Sequence, residues 1–274
     1  MIRKSLLFFV VLTLFSAQAF AYSSSKNSLE ATPDLPAELL LDLGYSESKS
    51  ICDGNDDRTP SFKMPMGRIL QTGSRAGCTV TMIGRTCALS AGHCTGTFQE
   101  VHFNTPLSRN GRIQLPRQED IYYVDSDSVV SRNTGVGGDW AVLRIEQNEV
   151  TGHWPGDAQG FLEMGYHEPQ EGDIIRITGY GTADGDDVNF AQQTHTGPIS
   201  EINTGRNMIR HRADTTGGNS GSAVVDEATG KIIGVHTHGG CWRRGGANSS
   251  TLYHSLTELQ EAVHSCLQWE EENL

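Results

Sequence analysis

A chain of 274 residues, 36% of them hydrophobic, is long enough to bury a sizeable core in one or two domains. Its formal charge of −12 excludes the basic surface needed to bind nucleic acid or an anionic membrane, so neither is expected as a partner. Its six cysteines, Cys52, Cys78, Cys87, Cys94, Cys241 and Cys266, include no C-x-x-C pair, which in an oxidising compartment favours disulfides over zinc.

The first segment predicts that compartment. In "MIRKSLLFFVVLTLFSAQAFA" two basic residues precede an apolar run that ends in small residues, the layout of a cleaved secretory signal over residues 1–21. The run is short for a membrane span and no second one follows, so the expected location is extracellular or periplasmic. Residues 22–49 are Ser-rich at both ends, carry two prolines and lack cysteine, which reads as a pro-segment. Without these parts the charge is about −11, consistent with a soluble, acidic surface.

From residue 50 the texture changes. The stretches "CTVTMIG", "WAVLRI", "DIIRITGYG", "NMIRH", "SAVVD" and "KIIGVHT" recur between glycine-rich turns, which predicts an all-β sandwich or barrel. One helix is expected over 255–270. Ser255 and Glu258 fit an S-x-x-E capping box, and Leu256, Leu259, Val263, Cys266 and Leu267 share a face.

Three separated motifs carry the chemistry. His93 lies in "SAGHC", Asp139 opens the apolar run "DWAVLRI", and Ser220 sits in "GGNSGSAVV". A serine hydroxyl is a poor nucleophile until an imidazole takes its proton, and that imidazole needs a carboxylate to fix its tautomer and steady its charge. Gly217 and Gly218 leave a turn free of bulk, in which the N–H groups of Gly218 and Ser220 can point together at a developing oxyanion. The order His, Asp, Ser differs from that of α/β-hydrolases and of subtilisins.

These motifs resemble those of chymotrypsin-fold serine endopeptidases, and in detail the bacterial glutamyl endopeptidase (V8-like) branch. "NDDRTPS", "MIGRTCALSAGHC", "HTGPIS" and "GVHTHGG" are each similar to stretches of that branch, in family order across about residues 50–262. The resemblance implies two antiparallel six-stranded Greek-key barrels, about 50–150 and 151–254, followed by the terminal helix within one protease domain, 50–274. It implies His93 as general base, Asp139 as its orienting carboxylate and Ser220 as nucleophile, with protein or peptide substrates, no cofactor or metal, and a monomeric enzyme.

For specificity, "GVHTHGG" matches one wall of the pocket for the residue before the cleaved bond, bringing in Thr237 and Gly239. His236 matches the histidine that binds a substrate glutamate carboxylate, with Thr215 assisting; cleavage after Glu, and secondarily Asp, follows. Asp214 is the rival. It falls where trypsin-like enzymes keep the aspartate that reads Arg or Lys, and a catalytically silent binding protein is the alternative from another class. His238 is expected at the pocket rim without a role. A His236, His238, Cys241 metal site conflicts with a bridged cysteine.

The resemblance also implies Cys78–Cys94, faces Cys87 toward Cys266 and leaves Cys52 for Cys241. That last bridge would tether a new N-terminus near Ser50 beside the pocket, where the freed α-ammonium of some glutamyl endopeptidases joins the histidine. Cutting at Lys49 by an activating protease, or at Glu47 by the enzyme itself, would then be an activation step. "DGDD" at 184–187 reads as an acidic surface loop rather than a calcium site, and "NSS" at 248–250 as a chance glycosylation pattern.

Overall fold

The computed structural model describes residues 50–274; the expected signal and pro-segment lie outside the described residues. Its strands are β1 (Thr59–Pro60), β2 (Met66–Leu70), β3 (Cys78–Met82), β4 (Cys87–Ser90), β5 (Glu100–His102), β6 (Ile121–Asn133) and β7 (Asp139–Ile145), then β8 (Ile174–Tyr180), β9 (Gln192–Asn203), β10 (Met208–His211), β11 (Ala223–Asp226) and β12 (Ile232–His238), and finally β13 (Cys241–Trp242), β14 (Gly245–Gly246) and β15 (Asn248–Leu252). A short helix α1 (Pro155–Gln159) lies in the connection between β7 and β8, and α2 (Thr257–Asn273) ends the chain.

Strands β2-β3-β4-β7-β6-β5 close one antiparallel barrel, with β5 returning to β2. Strands β8-β9-β10-β15-β12-β11 close a second, with β8 pairing to both β9 and β11. With the β13–β14 ribbon set aside, both barrels follow the same order: first, second, third, sixth, fifth, fourth. The fold is the expected double barrel with a terminal helix, and β1 pairs with β9 on the edge opposite β8.

Strand periodicity explains how the layers meet. In β7 Ala141, Leu143 and Ile145 point into the first barrel with Ile69, Val80 and Phe103, while Trp140 and Val142 point outward. The outward set joins Val225 and Val235 of the second barrel and Leu259 and Val263 of α2 in a shared apolar layer. Ile177, Ile209, Val224 and Leu252 belong to the second barrel's own core. Among the described residues no helix is long and apolar enough to cross a membrane.

The helix departs from its expected start. α2 begins at Thr257 with Leu256 at the N-cap and no side-chain cap, because Leu256 is buried in the shared layer and keeps an extended backbone. Ser255 therefore does not cap it. Glu258 instead pairs with Arg132 at 2.7 Å, and the helix runs on to Asn273. Glu270, buried near its end, accepts the N–H groups of Arg85, Thr86 and Cys87 at 3.0, 2.6 and 2.6 Å, fastening the helix to the β3–β4 turn. The bridges are Cys52–Cys241, Cys78–Cys94 and Cys87–Cys266, the last joining α2 to β4. Asn248 is buried, and its amide donates to Ser50 and Ala213 carbonyls at 3.0 and 2.8 Å, which leaves no room for a glycan.

Candidate active site

His93 and Asp139 meet at one end of the first barrel. His93 sits on a 3-10 turn, Gly92–Thr97, directly after β4, and the Cys78–Cys94 bridge ties that turn to β3. Asp139, the first residue of β7, is wholly buried. Its carboxylate accepts the His93 backbone N–H at 3.0 Å and stands 2.6 Å from the ring Nδ1. A buried carboxylate needs this filling of its lone pairs, and the arrangement favours the tautomer that leaves Nε2 unprotonated and able to accept a proton. The second barrel supports the pair: Thr251 of β15 donates its hydroxyl to the Asp139 carbonyl at 2.7 Å.

Ser220 reaches the same seam from the second barrel. Its turn docks on β3 and β4: Thr79 donates its N–H to the Ser220 carbonyl at 2.8 Å and its hydroxyl to the Gly218 carbonyl at 2.9 Å. Gly221 has φ +90°, and a Cβ there would strike Thr79 O and Ser90 Oγ, so only glycine lets the turn lie this close to the strand that leads to His93. No hydrogen bond joins Ser220 Oγ to His93 in the described structure; such contacts commonly tighten only when substrate binds.

Gly218 has φ +101°, and neither its N–H nor that of Ser220 donates to a protein acceptor among the described residues. Amide donors left free beside a serine are what an oxyanion hole requires.

The expected specificity residues divide into two groups. His236 on β12 is buried. Its N–H donates to the Ser222 carbonyl and its carbonyl accepts from Gly221, both at 2.8 Å, which places it against the turn that carries Ser220. Its Nδ1 lies 3.3 Å from Nε2 of His211, a residue the sequence did not single out. Burial first, then neighbouring His211, His238 and His93, hold His236 well below the ordinary imidazole value. Burial pushes His211 down to about 3. Thr215 is also buried, and its hydroxyl has no hydrogen-bond partner among the described residues.

Asp214 is occupied elsewhere. Its two oxygens accept the backbone N–H groups of Cys52 at 2.7 Å and Asp57 at 3.1 Å, so it fastens the N-terminal segment. Thr237 turns its hydroxyl to the Ser249 carbonyl at 3.4 Å and to His238 Nδ1 at 2.8 Å, and Gly239 packs against Ser50. His238, expected only at the rim, lies beside the His93–Asp139 pair, with Nδ1 3.9 Å from Asp139 and its ring 5.9 Å from that of His93. With Cys241 in a bridge, the His236, His238, Cys241 metal site lacks its thiolate.

A model of trypsin-like peptidase domains matches residues 78–235, more than half of the chain and the span that holds all three motifs. The chain belongs to the trypsin-like peptidase family. It is accordingly a serine endopeptidase. Among solved structures, a Glu endopeptidase in complex with MPD is similar at TM-score 0.61 and 21% identity, covering 80% of this chain and 100% of that one. A thermostable serine protease, AL20, from an extremophilic microorganism is similar at TM-score 0.59 and 12% identity, over 75% of this chain and 98% of that one. At these identities the likeness is one of fold. No curated protein matches the chain at a significant level.

Proposed function

We propose that this trypsin-like peptidase is secreted and cleaves after glutamate, with aspartate second, through an acyl-enzyme on Ser220. His93 takes the Ser220 proton as the hydroxyl attacks the scissile carbonyl. Asp139 steadies the resulting imidazolium, and the N–H groups of Gly218 and Ser220 receive the oxyanion. His93 then returns the proton to the leaving amine, and water repeats the sequence to release the acid.

One observation carries the preference for Glu. Buried His236, against the nucleophile turn, has another imidazole and, among the described residues, no carboxylate as its side-chain partner. A carboxylate entering there would accept a ring N–H of the neutral imidazole, a hydrogen bond strengthened by the carboxylate's own charge, and so offset its desolvation. The unpartnered Thr215 hydroxyl supports the same reading, since a buried unmade hydrogen bond costs about 1–3 kcal/mol until a ligand fills it. Cleavage after Arg or Lys is disfavoured because both oxygens of Asp214 are already engaged.

Processing of residues 22–49, by an activating protease or by the enzyme itself, would free the N-terminus near Ser50. Ser50 N donates to the Thr215 carbonyl at 3.0 Å, so a new α-ammonium there would join the same end of the pocket. The test is N-terminal sequencing of the exported protein together with cleavage-site profiling of a peptide library. Cuts after Glu are expected; cuts confined to Arg and Lys would overturn the specificity. Failure of a fluorophosphonate to label Ser220 in the processed protein would favour a silent binding role instead.

A further inference from the structure

Residues 50–58 run back over the nucleophile turn and are fastened at both ends. At the start, the Cys52–Cys241 bridge and the Asp214 carboxylate hold Cys52. At the other end lies Arg58, whose side chain is only 1% exposed. A guanidinium removed from water must have its donors filled. Asp56 takes Nε at 2.9 Å and Nη2 at 2.7 Å. The remaining donors go to the turn and its neighbour: Nη1 to Thr216 Oγ1 at 2.7 Å and Asn219 Oδ1 at 3.4 Å, and Nη2 to the Thr182 carbonyl at 2.9 Å.

Thr182 is the pivot. Its carbonyl is held by Arg58 and by the Thr216 hydroxyl at 2.8 Å, while its N–H donates to the Gly217 carbonyl at 2.9 Å. A trans peptide is planar, with C=O and N–H pointing in opposite directions. Drawing Gly217 O toward Thr182 therefore turns the Gly218 N–H the other way. Asn219 Oδ1 also accepts the Thr216 N–H at 3.0 Å, which closes the turn from 216 to 219.

We propose that Arg58 is a positioning residue for the oxyanion hole: by holding Thr182, Thr216 and Asn219 it fixes the Gly217–Gly218 peptide with its N–H aimed at the reacting carbonyl. The proposal rests on the reading of Gly218 and Ser220 as oxyanion donors. Arg58 itself bonds to none of His93, Asp139 and Ser220. Seating of residues 50–58 thereby becomes a condition for catalysis, since a chain in which that segment is displaced leaves the Gly217 peptide without its hold.

The experiment compares Arg58→Gln, Arg58→Lys and Thr216→Val in the processed, disulfide-bonded protein. Each is assayed on one peptide amide for kcat and KM, and with the matching peptide aldehyde, whose hemiacetal oxygen needs the oxyanion donors. Loss of a whole donor costs about 10²–10³ in kcat, so a misaimed one in Arg58→Gln should cost roughly 10- to 100-fold, with KM within about twofold. The aldehyde should weaken by a similar factor. Arg58→Lys should recover part of the loss, and Thr216→Val, which keeps side-chain shape, should show a smaller loss of the same kind.

Unchanged kcat and aldehyde inhibition in folded Arg58→Gln, or a loss confined to KM, would overturn the proposal. Should Arg58→Gln fail to fold, an unaffected Thr216→Val overturns it equally. Ser220→Ala keeps the two readings apart: activity in that variant removes the functional reading, whereas an inactive Ser220→Ala beside an unimpaired Arg58→Gln removes only this one.

Discussion

In the first barrel an imidazole is given its carboxylate by the fold. His102, buried at the end of β5, has Glu100 at 3.0 Å, and His93 has Asp139 at 2.6 Å. In the second barrel, built in the same strand order, partly buried His195 also has a carboxylate, Asp214 at 3.4 Å, but the two buried histidines beside the Ser220 turn have each other: His211 and His236 stand 3.3 Å apart, and among the described residues neither forms an ion pair. On the proposed function, the difference follows from what each must do. A general base has to be oriented before substrate arrives, so its counter-charge is built in. A group that reads a substrate carboxylate must lack one, or the ligand would meet repulsion where it needs a partner.

Removing the built-in charge should have the largest effect. Asp139→Asn leaves the shape of the site but allows the wrong tautomer at His93, and the corresponding change in another serine peptidase lowers kcat by about 10⁴. A comparable loss is expected here, measured as kcat on the best peptide amide, with KM little changed. Retention of activity within tenfold would show that His93 does not depend on Asp139. His238, 3.9 Å from the same carboxylate, offers a sharper contrast, because His238→Asn should leave most of kcat in place.

On the other barrel the expected effect is smaller and selective. A hydrogen bond to a charged group contributes about 1.5–3 kcal/mol, so His236→Leu should lower kcat/KM for a Glu substrate roughly 10- to 150-fold. The same substrate with Gln in that position should lose much less. Equal losses for Glu and Gln would mean that His236 supports the turn rather than reads the carboxylate, and the contrast between the barrels would lose its functional meaning.

How far this division could be read in the sequence depends on what each strand is made of. β3, β7, β8, β11 and β12 stand out as β-branched runs, and β7 shows why: its residues are buried on both faces, so both alternating sets are apolar. β15, "NSSTL", is equally buried yet polar, because Asn248 and Thr251 are spent on Ser50, Ala213 and Asp139. Hydropathy gives no sign of a strand whose side chains serve as hydrogen-bonding struts. β6 is hidden for another reason: an excursion through Ser126, Asp127 and Ser128 shifts its register against β7.

The site divides in the same way. His93, Asp139 and Ser220 lie in motifs whose neighbours are constrained by turns, and the motifs announce them. His211 and Arg58 lie in "MIRH" and "NDDRTPS", where nothing local marks a buried imidazole or a buried guanidinium. Their importance arises from partners 25 and 158 to 161 residues away, which only folding brings into reach.

The smallest expected effect concerns stability. His211 titrates at about 3 in the folded chain because burial disfavours its charged form, whereas an unfolded histidine titrates near 6.5. Between those values the unfolded chain binds the extra proton, so stability is present above about pH 6.5 and is lost as the pH falls through the acid range. His236 is shifted in the same direction by the same cause and adds to the trend. Each such histidine contributes a slope of up to about 1.4 kcal/mol per pH unit. Urea unfolding between pH 7 and 5, above the range in which the carboxylates dominate, should show this decline in the parent chain and a flatter one in His211→Gln. His102→Gln should flatten it less, because Glu100 pulls His102 back toward its ordinary value against the burial that lowers it. Equal flattening by the two variants would mean that the carboxylate beside His102 gives no protection, which is the distinction between the barrels in its plainest thermodynamic form.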